Sequence, residues 1–206
     1  MGCRFDGRID LEGAVFRHDV HLMASEFHGQ LVLNEARFER ECLAFVTRFH
    51  GTVLMNGGVF HSGFAAIEAL FTGGLQANGT VFEDVATFSR SQFTNGAVFT
   101  GAQFAHLALF DRCVFDRGEP GKQSSAVHNG DTYFNRAKFG AVDFSHATFR
   151  ARAVFDGADF SSRSSTKFSG ARFLRGGSAE GTQFAGALPA AFRVLAHTQG
   201  AAKPRP

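Results

Sequence analysis

Apolar and polar positions along this chain follow neither the 3.6-residue period of a helix nor the long alternation of an ordinary strand. Phenylalanine recurs every eleven residues, at Phe5, Phe16, Phe27, Phe38, Phe49, Phe60, Phe71, Phe82, Phe93, Phe104 and Phe115. Midway stand Leu11, Leu22, Leu33, Ala44, Met55, Ala66, Ala77, Phe88, Phe99 and Phe110, so the unit is five plus six residues. Two positions before each Phe of the main series the side chain is small, from Cys3 and Ala14 through Ser25, Ala36 and Thr47 to Ala102 and Cys113. Positions i and i−2 share a face on extended backbone. Each short segment therefore sends one large and one small residue inward, and the chain then turns a corner.

The midway series shows compensating volumes. Ala66 and Ala77 are preceded, two positions earlier, by Phe64 and Leu75, whereas Phe88, Phe99 and Phe110 are preceded by Ala86, Ala97 and Ala108. A close-packed interior holds such a sum roughly constant. Glycine gives the length of a coil. Gly7, Gly29, Gly51 and Gly73 are spaced by 22, as are Gly57, Gly79 and Gly101 with Gly13 two periods earlier, and Asn34, Asn56 and Asn78 run beside them. A corner period of 22 means four segments per coil, with Gly and Asn expected to supply positive φ at the corners.

The run breaks after Phe115. Residues 116–133 contain Pro, Gly and Ser without a centre in phase and predict a loop ejected from the coil. The repeat resumes at Phe134, Phe139, Phe144, Phe149, Phe155 and Phe160 and fades after Phe184. The expected organisation is regular coils over 1–115, the loop over 116–133, further coils over 134–186, and a short helix and tail over 187–206. Pro189 at a helix start, apolar Phe192 and Leu195, and Gly200 as a stop support that helix. It would cover the last coil, whose open edge otherwise invites association, or offer the same apolar face for dimerisation.

The pattern resembles that of pentapeptide-repeat proteins, most closely in "AKFGA", "VDFSH", "ATFRA" and "ADFSS", starting at Ala137, Val142, Ala147 and Ala158. The resemblance spans roughly residues 3–184. It implies an all-β fold, a right-handed quadrilateral β-helix of about 20–22 residues per coil. It also implies a possible partner class, because some members of the family mimic duplex DNA, occupy type II topoisomerases and protect gyrase. Such mimicry needs a strongly acidic rod. This chain has 10 Lys/Arg against 15 Asp/Glu in residues 1–133 and 11 against 4 in residues 134–206, an acidic end and a basic one.

Composition narrows the remaining classes. The chain has 26 Phe, one Tyr and no Trp, as expected of aromatics in a dry interior with no partner for a hydroxyl or indole N–H. A net charge of +2, with the aromatics inside, argues against direct nucleic-acid binding. Cys3, Cys42 and Cys113 all occupy inward positions and read as buried, reduced thiols of a cytoplasmic protein. No run is long and apolar enough for a membrane span. Catalytic motifs are missing, and a solid Phe-filled solenoid leaves no substrate cavity. A non-enzymatic interaction module without cofactor or metal is therefore expected, with an unidentified protein or a second copy as partner. His28 and His50, 22 apart, should stack on adjacent coils, but their column also holds Asp6 and Thr72 and does not complete a metal site.

The most informative surface lies next to Leu22, Ala44 and Ala66, where the following residues Met23, Phe45 and Ile67 stack in register beside Leu43, Ala65 and Val46. Large apolar side chains in an outward column mark a binding surface. A local register shift turning Phe45 and Ile67 inward is the competing reading. Met23, Leu43, Phe45, Val46 and Ile67 are the candidate partner-binding residues, and Phe192 and Leu195 the candidate cap or dimer residues.

Overall fold

A computed structural model of the chain describes residues 2–118, 130–162 and 165–197. The unit is an extended segment mostly two residues long, as in Arg4–Phe5, Ile9–Asp10, Val15–Phe16 and Val20–His21. These four make up the first coil, and each pairs in parallel with the residue 22 further on: Phe5 with Phe27, Ile9 with Leu31, Phe16 with Phe38, Val20 with Cys42. The same parallel pairing, 22 residues apart through the first five coils and 34–35, 21 or 24 apart above them, builds eight coils around four faces. Face 1 carries the Phe5 column, face 2 that of Leu11, face 3 that of Phe16 and face 4 that of Leu22. Faces 3 and 4 join into one thirteen-stranded sheet because Gln103–Leu109 and Lys138–Asp143 run straight through the corner between them. The register shifts between Phe104 and Leu107, where a six-residue segment lies over a five-residue one.

Stacked phenylalanines fill the interior. Phe82 and Phe104 stack at 4.9 Å and 5°, Phe104 and Phe139 at 5.1 Å and 1°. Rings from neighbouring faces meet edge to face, as Phe99 and Phe110 do at 5.4 Å and 78°. These are the geometries the ring quadrupole favours, and each such pair contributes about 0.5–1.5 kcal/mol beyond its burial. From coil 5 to coil 7 all four centres are Phe, and every one is buried. The small inward residues also close hydrogen bonds. Thr47 Oγ1 donates to Leu22 O at 2.8 Å, Thr80 Oγ1 to Met55 O at 2.6 Å, and Cys113 Sγ to Phe88 O at 2.9 Å. Carbonyls freed at the corners thus find donors inside the core.

The corners are of two kinds, and only one matches the expected chemistry. Gly13, Gly57, Gly79 and Gly101 have φ between +62° and +67°. Gly29, Gly51 and Gly73 do not share that φ; they are glycine because backbones stack against them. A Cβ on Gly51 would stand 2.2 Å from Gly29 O. Asn34, Asn56 and Asn78 do not supply positive φ either. They form a ladder in which Asn56 N and Nδ2 donate to Asn34 Oδ1 at 3.1 and 3.0 Å, and Asn78 repeats this on Asn56.

Most of the expected loop, residues 119–129, lies outside the described residues, as does the tail from residue 198. Thr132–Tyr133 is a strand, in register with Ala97–Val98, so the coil resumes at residue 132 and not at 134. The helix spans Ala190–His197, immediately after Pro189. Cys42 and Cys113 are buried, but Cys3 is exposed, because no coil of the described chain lies beneath the first. Burial pushes the Cys42 thiol up to about 12, and the Cys113 thiol is raised by the same cause.

Candidate interaction surface

Face 4 presents the apolar columns. Its strands Cys42–Leu43 and Phe64–Ala65 place Cys42 and Phe64 inward and Leu43 and Ala65 outward. Ala44 and Ala66 follow and stay inside, 2% and 0% exposed. The register shift that would bury Phe45 and Ile67 does not occur, since Phe64 already fills the space that Ala66 leaves, 4.9 Å from Phe60 and 5.1 Å from Phe88. Phe45 and Ile67 stand half-buried on the turns that leave face 4, while Met23 is 40% exposed and Val46 50%. Backbone hydrogen bonds hold the turns in line: Ala24 N donates to Phe45 O and Val46 N to Ile67 O, both at 2.9 Å.

Val46 has φ +54°. A β-branched side chain is a rare occupant of that region. The same column holds Ala24, Glu68, Arg90, Arg112 and His146, all near φ +55° to +60°, and Gly170 at +67°. The turn itself imposes the conformation, and coil 2 meets it with valine. Above coil 3 the turn column of Met23, Phe45 and Ile67 changes character. Ser89 replaces Ile67 and donates to Asp111 Oδ1, and Ser145 continues the series.

Four short segments per coil, each sending a large and a small residue inward, with eight coils in parallel register, are the geometry that the repeat implies. The chain is a parallel, four-faced β-solenoid. No protein-family model matches it, and no curated protein matches it in sequence. Among solved structures it is similar to HetL, a pentapeptide repeat protein involved in heterocyst differentiation regulation from the cyanobacterium Nostoc sp. The identity is 16% over 85% of this chain and 90% of that one, with a TM-score of 0.24. It is also similar to full-length QnrB1, a plasmid-mediated fluoroquinolone resistance protein, at 12% identity over 97% and 98% of the two chains and a TM-score of 0.29.

The solenoid adds surface residues that the sequence reading passed over. On face 4, Val85 is 37% exposed, and Leu107 and Leu109 are half-buried, extending the apolar outer surface through coils 4 and 5. On face 2, Val32, Leu54, Val98, Tyr133 and Val154 share one outward column, with the valines almost fully covered by their neighbours. Their register of 22 up to Val98 was visible in the sequence. Tyr133 also lines an open groove of about 480 Å³ with Thr100, Asn135, Arg136, Asp156 and Glu180.

Phe192 and Leu195 are 1% and 0% exposed. The Phe192 ring meets Phe168 edge-on at 4.7 Å and Phe184 at 5.1 Å, so the helix closes the last coil. Neither side chain is left for a dimer interface. His28 and His50 stack on face 1 with ring centroids 4.6 Å apart, as their spacing requires. No helix among the described residues is long and apolar enough to cross a membrane.

Proposed function

We infer that the solenoid is a non-enzymatic protein-binding scaffold that docks a partner through the apolar turns of face 4 in coils 1–3. One observation carries this reading: Met23, Phe45, Val46 and Ile67 form a partly exposed apolar cluster where the same columns higher up are polar. Interior packing gives no reason for it, because Ala44 and Ala66 keep the core closed without these side chains. Phe and Met are enriched at protein interfaces relative to the rest of the surface. The rim is charged, with Glu68 and Arg90 paired at 3.1 Å.

The acidic-rod reading is less well supported. Three carboxylates of the first coils are paired with neighbouring cations, Arg4 with Asp6 at 2.7 Å, Arg8 with Asp10 at 2.6 Å and Arg48 with Glu26 at 3.3 Å. Duplex mimicry asks for unpaired negative charge along the rod.

The test is an affinity capture comparing the wild-type chain with Phe45→Ser/Ile67→Ser, alongside light scattering of both across a concentration series. Loss of specific partners in the double variant, or loss of concentration-dependent self-association, is the expected result. Identical partner lists and identical masses would exclude the face-4 surface.

A further inference from the structure

On face 1 the stacked histidines have a neighbour that their column does not reveal. Glu26 stands two residues before His28, at the outward position of the strand Glu26–Phe27, and its Oε2 lies 3.5 Å from His28 Nε2. One ligating atom from each of Glu26, His28 and His50 falls within 4.8 Å of the others. His28 Nε2 is shielded from solvent and makes no hydrogen bond. A covered ring nitrogen without a hydrogen bond is costly, and a ligand would satisfy it. Glu26 divides its oxygens, with Oε1 turned to Arg48 Nη1 at 3.3 Å and Oε2 to the imidazole. Thr72 Oγ1 stands 3.5 Å from His50 Nδ1, which leaves that ring's Nε2 for a ligand.

We propose that Glu26, His28 and His50 form a binding site for a divalent transition metal of the zinc type, clipping coil 2 to coil 3. Two imidazoles and one carboxylate are a zinc-type donor set, whereas magnesium and calcium prefer oxygen alone. Ligands at about 2.0–2.1 Å in tetrahedral geometry lie about 3.3 Å from one another. Side-chain rotation supplies the remaining closure, chiefly at exposed His50. The backbone beneath is already fixed, with His28 N donating to Phe5 O and His50 N to Phe27 O, both at 2.8 Å. Water completes the coordination. Arg48 competes for the same carboxylate, so its removal should tighten the site.

Calorimetric titration of the untagged chain with zinc chloride near neutral pH tests the site, with magnesium chloride as control. Saturable zinc binding is expected, weakened at least tenfold in His28→Ala, His50→Ala and Glu26→Gln and tightened in Arg48→Ala. His61→Ala, at a separate pair with Glu83, should bind like wild type. Cobalt absorption provides a second readout: visible bands of a low-coordinate site should appear in wild type and vanish in His50→Ala. All these side chains lie outside the core, and circular dichroism of each variant checks the coils directly. Absence of saturable zinc binding, or wild-type affinity in the two histidine variants, would overturn the proposal.

Discussion

Coils 1–3 and coils 5–7 are built on the same frame and solve it differently. In coils 5–7 all four centres are Phe and the partner positions on faces 2 and 4 are small or β-branched. Their rings form a continuous network of stacks and edge contacts, and the turn column leaving face 4 holds Asp111, Ser145 and Ser169. In coils 1–3 the centres of faces 2 and 4 are Leu, Met or Ala, the partner positions run from small Cys42 beside Ala44 to Phe64 beside Ala66, and the same turn column holds Met23, Phe45 and Ile67. On face 4 of coil 3, against coil 4 above it, the interior difference is a redistribution of volume. The exterior difference has no counterpart inside. Packing thus accounts for the upper coils completely and for the lower coils except at their surface.

The largest expected effect comes from converting one arrangement into the other. Phe64 stands in register with Ala86 of the next coil, and Ala66 leads to Phe88. Phe64→Ala should cost about 3–5 kcal/mol by leaving a cavity. Ala66→Phe alone should cost about 1–3 kcal/mol by overpacking a position that is 0% exposed. Together they reproduce the upper pattern, and the new ring can stack on Phe88 as Phe110 does at 5.0 Å and 3°. Denaturant unfolding of the three variants should show the double recovering about 2–3 kcal/mol of the summed costs, within the range of coupling between touching residues. Additive costs would mean that the two halves are not interchangeable and that volume compensation is not the rule.

The thiols extend the comparison to the open end. Cys3, Cys42 and Cys113 occupy the same inward kind of position, yet only Cys3 is exposed. A thiol in the unfolded chain titrates near about 8.5, while burial holds Cys42 to about 12 and raises Cys113 as well. Above the unfolded value the unfolded state has released protons that the native state keeps. Stability linked to these thiols is therefore fully present below about pH 8.5 and is lost as pH rises towards the folded value, at about 1.4 kcal/mol per pH unit for each. Denaturant midpoints measured from pH 7 to pH 10 should fall less steeply in Cys42→Ala/Cys113→Ala than in wild type, and unchanged in slope for Cys3→Ala. An equal slope in all three would show that the buried thiols do not couple to folding.

How much of this was legible depended on whether neighbours above and below matter. Register, coil length and inward columns follow from a one-dimensional repeat, in which each coil meets only its neighbours, so Phe60 or Ala102 could be placed from spacing alone. Cys3 could not, because the pattern assigns it inward while exposure depends on a coil beneath. The glycines show a second limit. Gly51 and Gly57 both recur at 22, yet one avoids a backbone 2.2 Å away and the other adopts φ +64°, a distinction of three-dimensional stacking. Glu26 escaped notice for a related reason. It lies in a different column from His28 and His50, and side chains on one face meet across columns as well as along them. Phe45 and Ile67 were ambiguous because their side depends on whether Phe64 or they fill the space beside Ala66.

The smallest effect in stability bears most directly on what separates the two regions. Val46 is held at φ +54° with half its surface exposed, on the turn where the upper coils place Arg90, Arg112 and His146. A left-handed conformation costs an ordinary residue about 1–2 kcal/mol, and glycine removes that cost while adding about 0.5–1 kcal/mol of chain entropy. Val46→Gly should therefore raise stability by up to about 1 kcal/mol, read as a higher denaturant midpoint. Glu68→Gly, at φ +55° on the next coil, should gain a similar amount. The two substitutions part company in partner capture. Removing valine takes an apolar group from the centre of the face-4 cluster and should weaken retention, whereas removing Glu68 takes only a rim charge. A variant that is more stable yet binds less would show that coil 2 carries strain for the sake of its surface. Equal retention in both would leave Val46 as an unrelieved turn position and confine the interaction surface to Met23, Phe45 and Ile67.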